Sequence, residues 1–336
     1  MNRRVGVIGC GAWGKNLVRV FHELGALAAI CDENAATLQQ LSDQFKVKSY
    51  QNASELIAES SVEAVAVAAP SPFHFPLGNE VLAAGKDLYM EKPLALSYAQ
   101  GLELVSLAER KKKILMVGHI LEYHPAIIAL ENLIQSQTLG KLFYIYSSRL
   151  NLGRVRREEN ILWSFAPHDL AVILRLIGEM PLYVSCTGGN YLNPNLADVT
   201  LTSLKFPSGI GSHLFVSWLH PFKEQKLIVA GSKKMAIFDD VVKEGKLKVL
   251  DRHIDWEKGE PKAKQGAEEI IPFSNEEPLK LELAHFLESI SNRKPPLTTG
   301  KRALPVLKIL EASQHSLSLG GNPVPIEEAA ASRSAH

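Results

Sequence analysis

The run Val5-Gly-Val-Ile-Gly-Cys-Gly-Ala-Trp-Gly14 decides how the rest of the chain is read. Val5 to Ile8 is short and apolar throughout, as a strand buried on both faces requires. It passes directly into glycines at positions 9, 11 and 14, and Lys15 to Leu24 then shows helical periodicity. In a strand, glycine loop and helix of this order the glycines have separate jobs. Gly9 permits the tight turn, Gly11 lets the backbone approach a pyrophosphate, and Gly14 allows helix and strand to pack closely. The pyrophosphate then rests on amides at the helix N-terminus.

Working outward, the second strand, Ala26 to Cys31, ends in Asp32, roughly 20 residues beyond the loop, where a dinucleotide's ribose hydroxyls meet a carboxylate. Gly9, Gly11, Ala12, Trp13, Gly14 and Asp32 are therefore candidate cofactor contacts. Asp32 has a competing use as N-cap of the next helix, Ala35 to Phe45. Glu33 and Asn34 follow it with no arginine to receive a 2′-phosphate, which favours NAD over NADP.

Strands and helices keep alternating: a strand near Val47 to Tyr50, a helix from Ala53, an apolar strand at Glu63 to Ala69, and a helix from Phe75 to Ala84. The loop between the last two, Pro70-Ser-Pro-Phe-His74, is rigid and lies at the sheet edge that carries the glycine loop. Pro70 and His74 are candidates there; His74 either contacts cofactor or substrate or bonds the start of its helix. The strand from Asp87 ends abruptly in Glu91-Lys92-Pro93, which places a lysine at the C-terminal lip of a parallel strand, where open α/β sheets collect their ligands. A helix, Ser97 to Lys112, follows, and Arg110 to Lys113 read as cations that suit its C-terminal dipole. A strand at Ile114 to Gly118 completes a doubly wound domain over residues 1–120.

Past His119 the pattern changes. After a helix at Pro125 to Gln135, strand alternation appears at Leu142–Leu150, Leu182–Tyr191, Val199–Phe206, Ile210–Leu219, Lys226–Ala230 and Met235–Asp239. Pro207-Ser-Gly209 makes a hairpin turn. The expectation is a second, α+β domain over residues 121–336 for substrate binding and oligomerisation, with a large, mostly antiparallel open sheet whose exposed face seeks a partner copy, giving a homodimer or homotetramer. Two helices, Leu279 to Ser291 and Ala303 to Leu317, flank a Pro-rich connector, and the last ten or so residues read as a frayed tail.

Bulk composition narrows the function classes. The 336 residues are 46% hydrophobic and 22% charged, and 37 basic against 36 acidic residues leave a formal charge of +1, so no global field favours nucleic acid or an anionic membrane. Cys10, Cys31 and Cys186 lack metal-like spacing and suit a reducing compartment, and no apolar run has membrane-spanning length, so the expected location is the cytoplasm.

Taken together, the glycine loop, the Pro70 to His74 loop, Glu91-Lys92-Pro93, Val117-Gly-His119 and the second sheet domain resemble the Gfo/Idh/MocA oxidoreductases over nearly the whole chain. The resemblance implies NAD-dependent oxidation of a sugar or cyclitol hydroxyl, with Lys92 in the catalytic lysine position and Glu91 beside the cofactor; a cis bond before Pro93 is common in the family. The family's Asp-x-x-x-His helix corresponds to Ser164-Phe-Ala-Pro-His168, so His168 matches and Ser164 replaces the acid. Asp169 is no evident substitute, because adjacent helical positions point in different directions. Lys92 is assigned as base or hydrogen-bonding partner of the reacting hydroxyl and His168 as its partner in proton transfer, and the two roles are exchangeable.

The segment Ser148 to Arg157 holds four arginines. It is either a bidentate phosphate clamp or a solvated loop balanced by Glu158 and Glu159. With Glu122 to Pro125 and Asn160 to Trp163, it resembles the branch that oxidises the 3-hydroxyl of UDP-N-acetylglucosamine or of its uronic acid, supplying a 3-keto sugar to an aminotransferase in lipid A or surface-polysaccharide synthesis. The resemblance thus implies a UDP-sugar substrate, contacted by Lys92, His119, Tyr123, Arg149, Asn151, Arg156, Ser164 and His168. A free-sugar or inositol dehydrogenase and a non-catalytic NAD-sensing regulator are the competing readings.

Overall fold

The computed structural model describes residues 4–153 and 155–326; Arg154 and the tail expected to fray lie outside the described residues. The chain opens β1 (Val5–Ile8), α1 (Gly14–Glu23), β2 (Leu27–Cys31), α2 (Ala35–Phe45), β3 (Lys48–Tyr50), α3 (Ala53–Ala58) and β4 (Ala64–Val67). It continues α4 (His74–Ala83), β5 (Asp87–Glu91), α5 (Tyr98–Lys111) and β6 (Leu115–Gly118). The six strands form one parallel sheet in the order β3-β2-β1-β4-β5-β6. Burial on both faces explains the apolar runs: all four residues of β1, β4 and β6 and all five of β5 are buried. The order reverses between β1 and β4, and at such a switch point ligands meet the C-terminal ends of the strands.

Next come α6 (Pro125–Gln135), β7 (Leu142–Leu152), α7 (Ile161–Ile177), β8 (Tyr183–Gly189), β9 (Val199–Lys205), β10 (Gly211–Ser217), β11 (Leu219–Gly231) and β12 (Met235–Asp239). The chain ends with β13 (Leu247–Glu257), β14 (Glu260–Ile270), α8 (Pro278–Asn292), α9 (Gly300–Ser318) and β15 (Val324–Pro325). Nine strands make a second sheet in the order β14-β13-β12-β11-β7-β10-β9-β8-β15, antiparallel throughout except where β10 runs parallel to β7. The expected hairpin at Pro207 joins β9 to β10, with Gly209 at φ +87°. The helix α7 packs on β7, β9 and β10 and covers one face of this sheet.

Two compact units result, residues 4–125 with 275–307 and residues 126–274 with 308–326. The first unit thus takes in residues 275–307, which the sequence reading placed with the second domain. The reason is α8: Leu279, Leu283, Phe286 and Ile290 project from one of its faces into the core of the first unit, where Phe286 meets Phe21 and Tyr89 edge-on at 6.4 and 5.8 Å. The two-residue β15 and the long strands β13 and β14 were not foreseen. The distal halves of β13 and β14 are exposed on both faces and carry charge, so no apolar alternation marks them.

Candidate active site

In the first unit the glycine loop has the geometry its sequence demands. Gly9 sits at φ +87°, and a Cβ there would lie 2.6 Å from the Ala69 nitrogen; a Cβ on Gly14 would lie within bonding range of the Gly9 carbonyl oxygen. Gly11 is different: it is exposed, and a Cβ on it meets nothing within 4 Å. The open space thus lies where a pyrophosphate must approach, at the start of α1, whose N-terminus is capped by no side chain. Asp32 is committed to this loop: its Oδ2 accepts from the Cys10 amide at 2.7 Å and its Oδ1 from the Asn34 amide at 2.9 Å. The capping role passes to Asn34, whose side chain accepts from the Thr37 amide at 2.9 Å. The residues present therefore fit a dinucleotide: Gly11 and the start of α1 would hold its phosphates and Asp32 would meet its ribose.

Across the sheet, β5 and β6 end together, Glu91 paired with Gly118, so Lys92 and His119 leave adjacent strand ends one residue later. The Lys92–Pro93 bond is cis. The buried Glu91 carboxylate accepts the Trp13 indole N–H at 2.6 Å, which ties the glycine loop to the lysine strand, and the Lys92 amide at 3.3 Å. Burial pushes the Glu91 carboxyl upward, while the Trp13 bond and the Lys92 charge oppose that shift. His74 is held between two backbone carbonyls. Its ring is 2% exposed, and its Nδ1 lies 2.6 Å from the Pro93 carbonyl oxygen and its Nε2 2.8 Å from that of Ala69. It thereby joins the β4 loop to the turn after Lys92. Pro70 is exposed on the same loop.

His119 is buried, and neither ring nitrogen has a hydrogen-bond partner. Burial, with the positive charges of Lys92 and Arg302 adding to it, pushes its pKa down to about 3, so the ring is a neutral donor and acceptor at physiological pH. Tyr123, expected at the substrate, belongs instead to the core, and its hydroxyl lies 3.0 Å from His285 Nδ1. Beneath Glu91, the buried Tyr89 hydroxyl lies 3.2 Å from Glu91 Oε1 and 3.0 Å from Glu282 Oε2 on α8. Burial, with the nearby Glu91 charge adding to it, holds the Glu282 carboxyl well above the usual carboxylate range.

In the second unit, Asn160 caps α7 by accepting the Trp163 amide at 3.2 Å, and Gly178 closes the helix at φ +76°. His168 is half-buried on this helix, and Ser164 lies one turn earlier on the same face, buried. Asp169 faces the sheet. It accepts Arg149 Nε at 2.6 Å and Nη2 at 3.3 Å, and Ser147 Oγ at 2.6 Å. The structure thus pairs Arg149, expected at a phosphate, with Asp169 through Nε and Nη2. Asn151 is half-buried, its Oδ1 without a hydrogen-bond partner, and Arg156 is half-buried with no ion pair among the described residues. The bonds from Trp13 to Glu91, Tyr89 to Glu282 and Arg149 to Asp169 escaped the sequence reading, since they join positions 78, 193 and 20 apart in the chain.

Residues 3–119 match the model of an oxidoreductase family with an NAD-binding Rossmann fold, and residues 127–237 match the GFO/IDH/MocA C-terminal domain. The chain belongs to the Gfo/Idh/MocA family. Its first unit is an NAD-binding domain. Among relatives of this Gfo/Idh/MocA protein is the UDP-N-acetylglucosamine 3-dehydrogenase of Acidithiobacillus ferrooxidans, 24% identical over 301 residues, 89% of this chain and 92% of that one. The solved structure of that enzyme superposes with a TM-score of 0.83 at 23% identity over 95% of this chain and 99% of that one. The inositol 2-dehydrogenase of Burkholderia lata is 26% identical over 76% of this chain and 81% of that one. The WlbA dehydrogenase of Bordetella pertussis, solved with NADH and UDP-GlcNAcA, has a TM-score of 0.80 at 18% identity over 98% of this chain and 100% of that one. Among the described residues no helix is long and apolar enough to cross a membrane.

Proposed function

We propose that the protein is an NAD-dependent dehydrogenase of a sugar ring hydroxyl, with the 3-hydroxyl of UDP-N-acetylglucosamine as its substrate and a 3-keto sugar as its product. The observation that carries the dehydrogenase reading is the 2.6 Å bond from Trp13 to Glu91, which fastens the dinucleotide loop to the residue preceding Lys92. Oxidising a secondary alcohol requires a hydroxyl proton to be taken as hydride leaves the carbon, and NAD, when bound, accepts that hydride. Lys92 is the group at the hydroxyl, through Nζ as base or hydrogen-bond partner, and His168 shares the proton with it. The Ser164 hydroxyl, on the same face of α7 as His168, takes the orienting place of an acid. His119, neutral and unsatisfied, offers a hydrogen bond to a second substrate hydroxyl. The nucleotide-sugar assignment is supported by the relative that shares 24% identity across 89% of the chain, and Arg156 and Asn151 are its polar contacts in the second unit.

One observation favours a second reading, a dehydrogenase of inositol or another free sugar: the loss of Arg149 to Asp169 removes a diphosphate ligand. Mixing the protein with NAD and either UDP-N-acetylglucosamine or myo-inositol and following reduced nicotinamide separates the two. Turnover of inositol alone refutes the nucleotide-sugar assignment. The product's consumer would be an aminotransferase of lipid A or surface-polysaccharide synthesis, in the cytoplasm where UDP-sugars are made. We assign homo-oligomerisation to the face of the second sheet opposite α7, where Tyr144, Tyr146, His213 and Ile228 line a shallow pocket and Leu201 is 43% exposed.

A further inference from the structure

Proton counting around Tyr89 leads to a conclusion about the cofactor loop. A phenol has one proton, yet the Tyr89 oxygen lies within hydrogen-bond distance of two carboxyl oxygens, Glu91 Oε1 at 3.2 Å and Glu282 Oε2 at 3.0 Å. Were both carboxyls ionised, one of these contacts would set oxygen against oxygen with no hydrogen between them. The surroundings say which carboxyl holds the extra proton. Glu91 has other donors, the Trp13 indole at 2.6 Å and the Lys92 amide at 3.3 Å, and both can only donate, so both require it to accept. Glu282 has none: its Oε1 is buried without a hydrogen-bond partner on a side chain that is 0% exposed.

Nor, among the described residues, does a cation act on Glu282. Glu122, a further negative group facing Glu282, is paired with Arg302 at 3.3 Å. Tyr123, which also faces it, is bonded to His285 through its hydroxyl. An ionised Glu282 would therefore bury a charge with one donor at most, whereas a neutral acid leaves only a carbonyl oxygen unmatched.

We propose that Glu282 is a neutral carboxylic acid that donates to the Tyr89 hydroxyl, that Tyr89 donates in turn to Glu91, and that the single negative charge of the chain rests on Glu91, where it anchors Trp13 and so shapes the NAD loop. Every hydrogen in the chain then points one way, from α8 through β5 to the glycine loop. Glu282 and Tyr89 are positioning residues for the cofactor site. This role stands whatever alcohol is oxidised, because it concerns NAD and the first unit alone.

Infrared spectroscopy of the full-length protein tests the assignment. A protonated-carboxyl carbonyl band is expected to persist at pH 8 in the wild type and in Glu91→Gln and to vanish in Glu282→Gln. Any other pattern overturns it. Should a variant fail to fold, carbon-13 spectra of glutamate-labelled wild type answer the same question, since a glutamate carboxyl must stay at its protonated position at pH 8; its absence overturns the proposal. The positioning role is read in calorimetric NAD affinity. Tyr89→Phe keeps both carboxyls but cuts the chain, and is expected to weaken NAD binding about tenfold, the equivalent of one net hydrogen bond. An unchanged affinity refutes that role.

Discussion

Replacing Arg149 by methionine separates the two uses an arginine at this position can have. In the structure its guanidinium gives two donors to Asp169, at 2.6 and 3.3 Å, and the two side chains are only 12% and 6% exposed. Arg149→Met keeps much of the aliphatic volume and leaves Asp169 a buried charge with Ser147 as its remaining side-chain donor. Breaking a buried pair in this way costs about 3–5 kcal/mol, and the slight exposure of Arg149 favours the lower end. At about 2–4 °C per kcal/mol for a unit of this size, a loss of about 3 kcal/mol lowers the melting temperature by about 6–12 °C. Thermal and urea unfolding followed by circular dichroism measure it. The double variant Arg149→Met with Asp169→Leu is expected to recover most of the loss, because an apolar pair of similar volume replaces a buried ion pair at little cost. The reasoning is refuted if Arg149→Met unfolds within about 0.5 kcal/mol of wild type, the range of an ordinary surface change, while KM for UDP-N-acetylglucosamine rises. That outcome would return Arg149 to the diphosphate.

The other consequences are more direct. Lys92→Met is expected to lower kcat by about 10²–10⁴-fold, the usual worth of a general acid or base, with NAD still bound in calorimetry; wild-type turnover would remove Lys92 from the mechanism. Trp13→Phe loses a hydrogen bond to a charged acceptor, worth about 1.5–3 kcal/mol, and NAD affinity should fall by roughly tenfold or more while the fold persists. His119, with a folded pKa of about 3 against an ordinary value of 6.5, binds its proton more readily when unfolded, so the stability it contributes is full above pH 6.5 and is lost as pH falls toward 3. His119→Gln should flatten the decline of the urea midpoint between pH 6.5 and 4, and an unchanged decline would contradict the burial argument. Tyr146→Glu, on the open face of the second sheet, should convert an oligomer to monomer in light scattering; a wild type that is already monomeric at micromolar concentration refutes that surface.

What could be read from the sequence followed from how each element is buried. The parallel strands β1, β4, β5 and β6 are covered on both faces, which forces continuous apolar runs, and glycine or proline marks their ends. The hairpin of β13 and β14 escaped because its distal half is exposed on both faces; its signal was Lys258-Gly259, both at positive φ, in the two-residue turn. The competition at Asp32 could not be settled from that residue. It was settled by Asn34, two positions on, which takes over the cap. The helix α8 was legible as a helix, but an apolar face records only that it needs a partner, never which core supplies it.

The same limit applies, with more consequence, to the site. Glycine loop and lysine motif each carry their own local signal, because turn geometry and strand ends are dictated by near neighbours in the chain. The bond that unites them, from Trp13 to Glu91, spans 78 positions, and neither residue alone asks for the other. The buried carboxylate asks for donors and the half-exposed indole for an acceptor, and only the order β1-β4-β5 brings the demands together. Tyr89 extends the argument one layer down. Its ring sits in the core against Phe286, which fixes its hydroxyl between Glu91 and Glu282 regardless of any ligand. The charge at Glu91 is therefore set by packing in the core of the first unit before cofactor arrives, and a substitution at Tyr89, with no atom exposed, should be felt in NAD affinity before it is felt in catalysis.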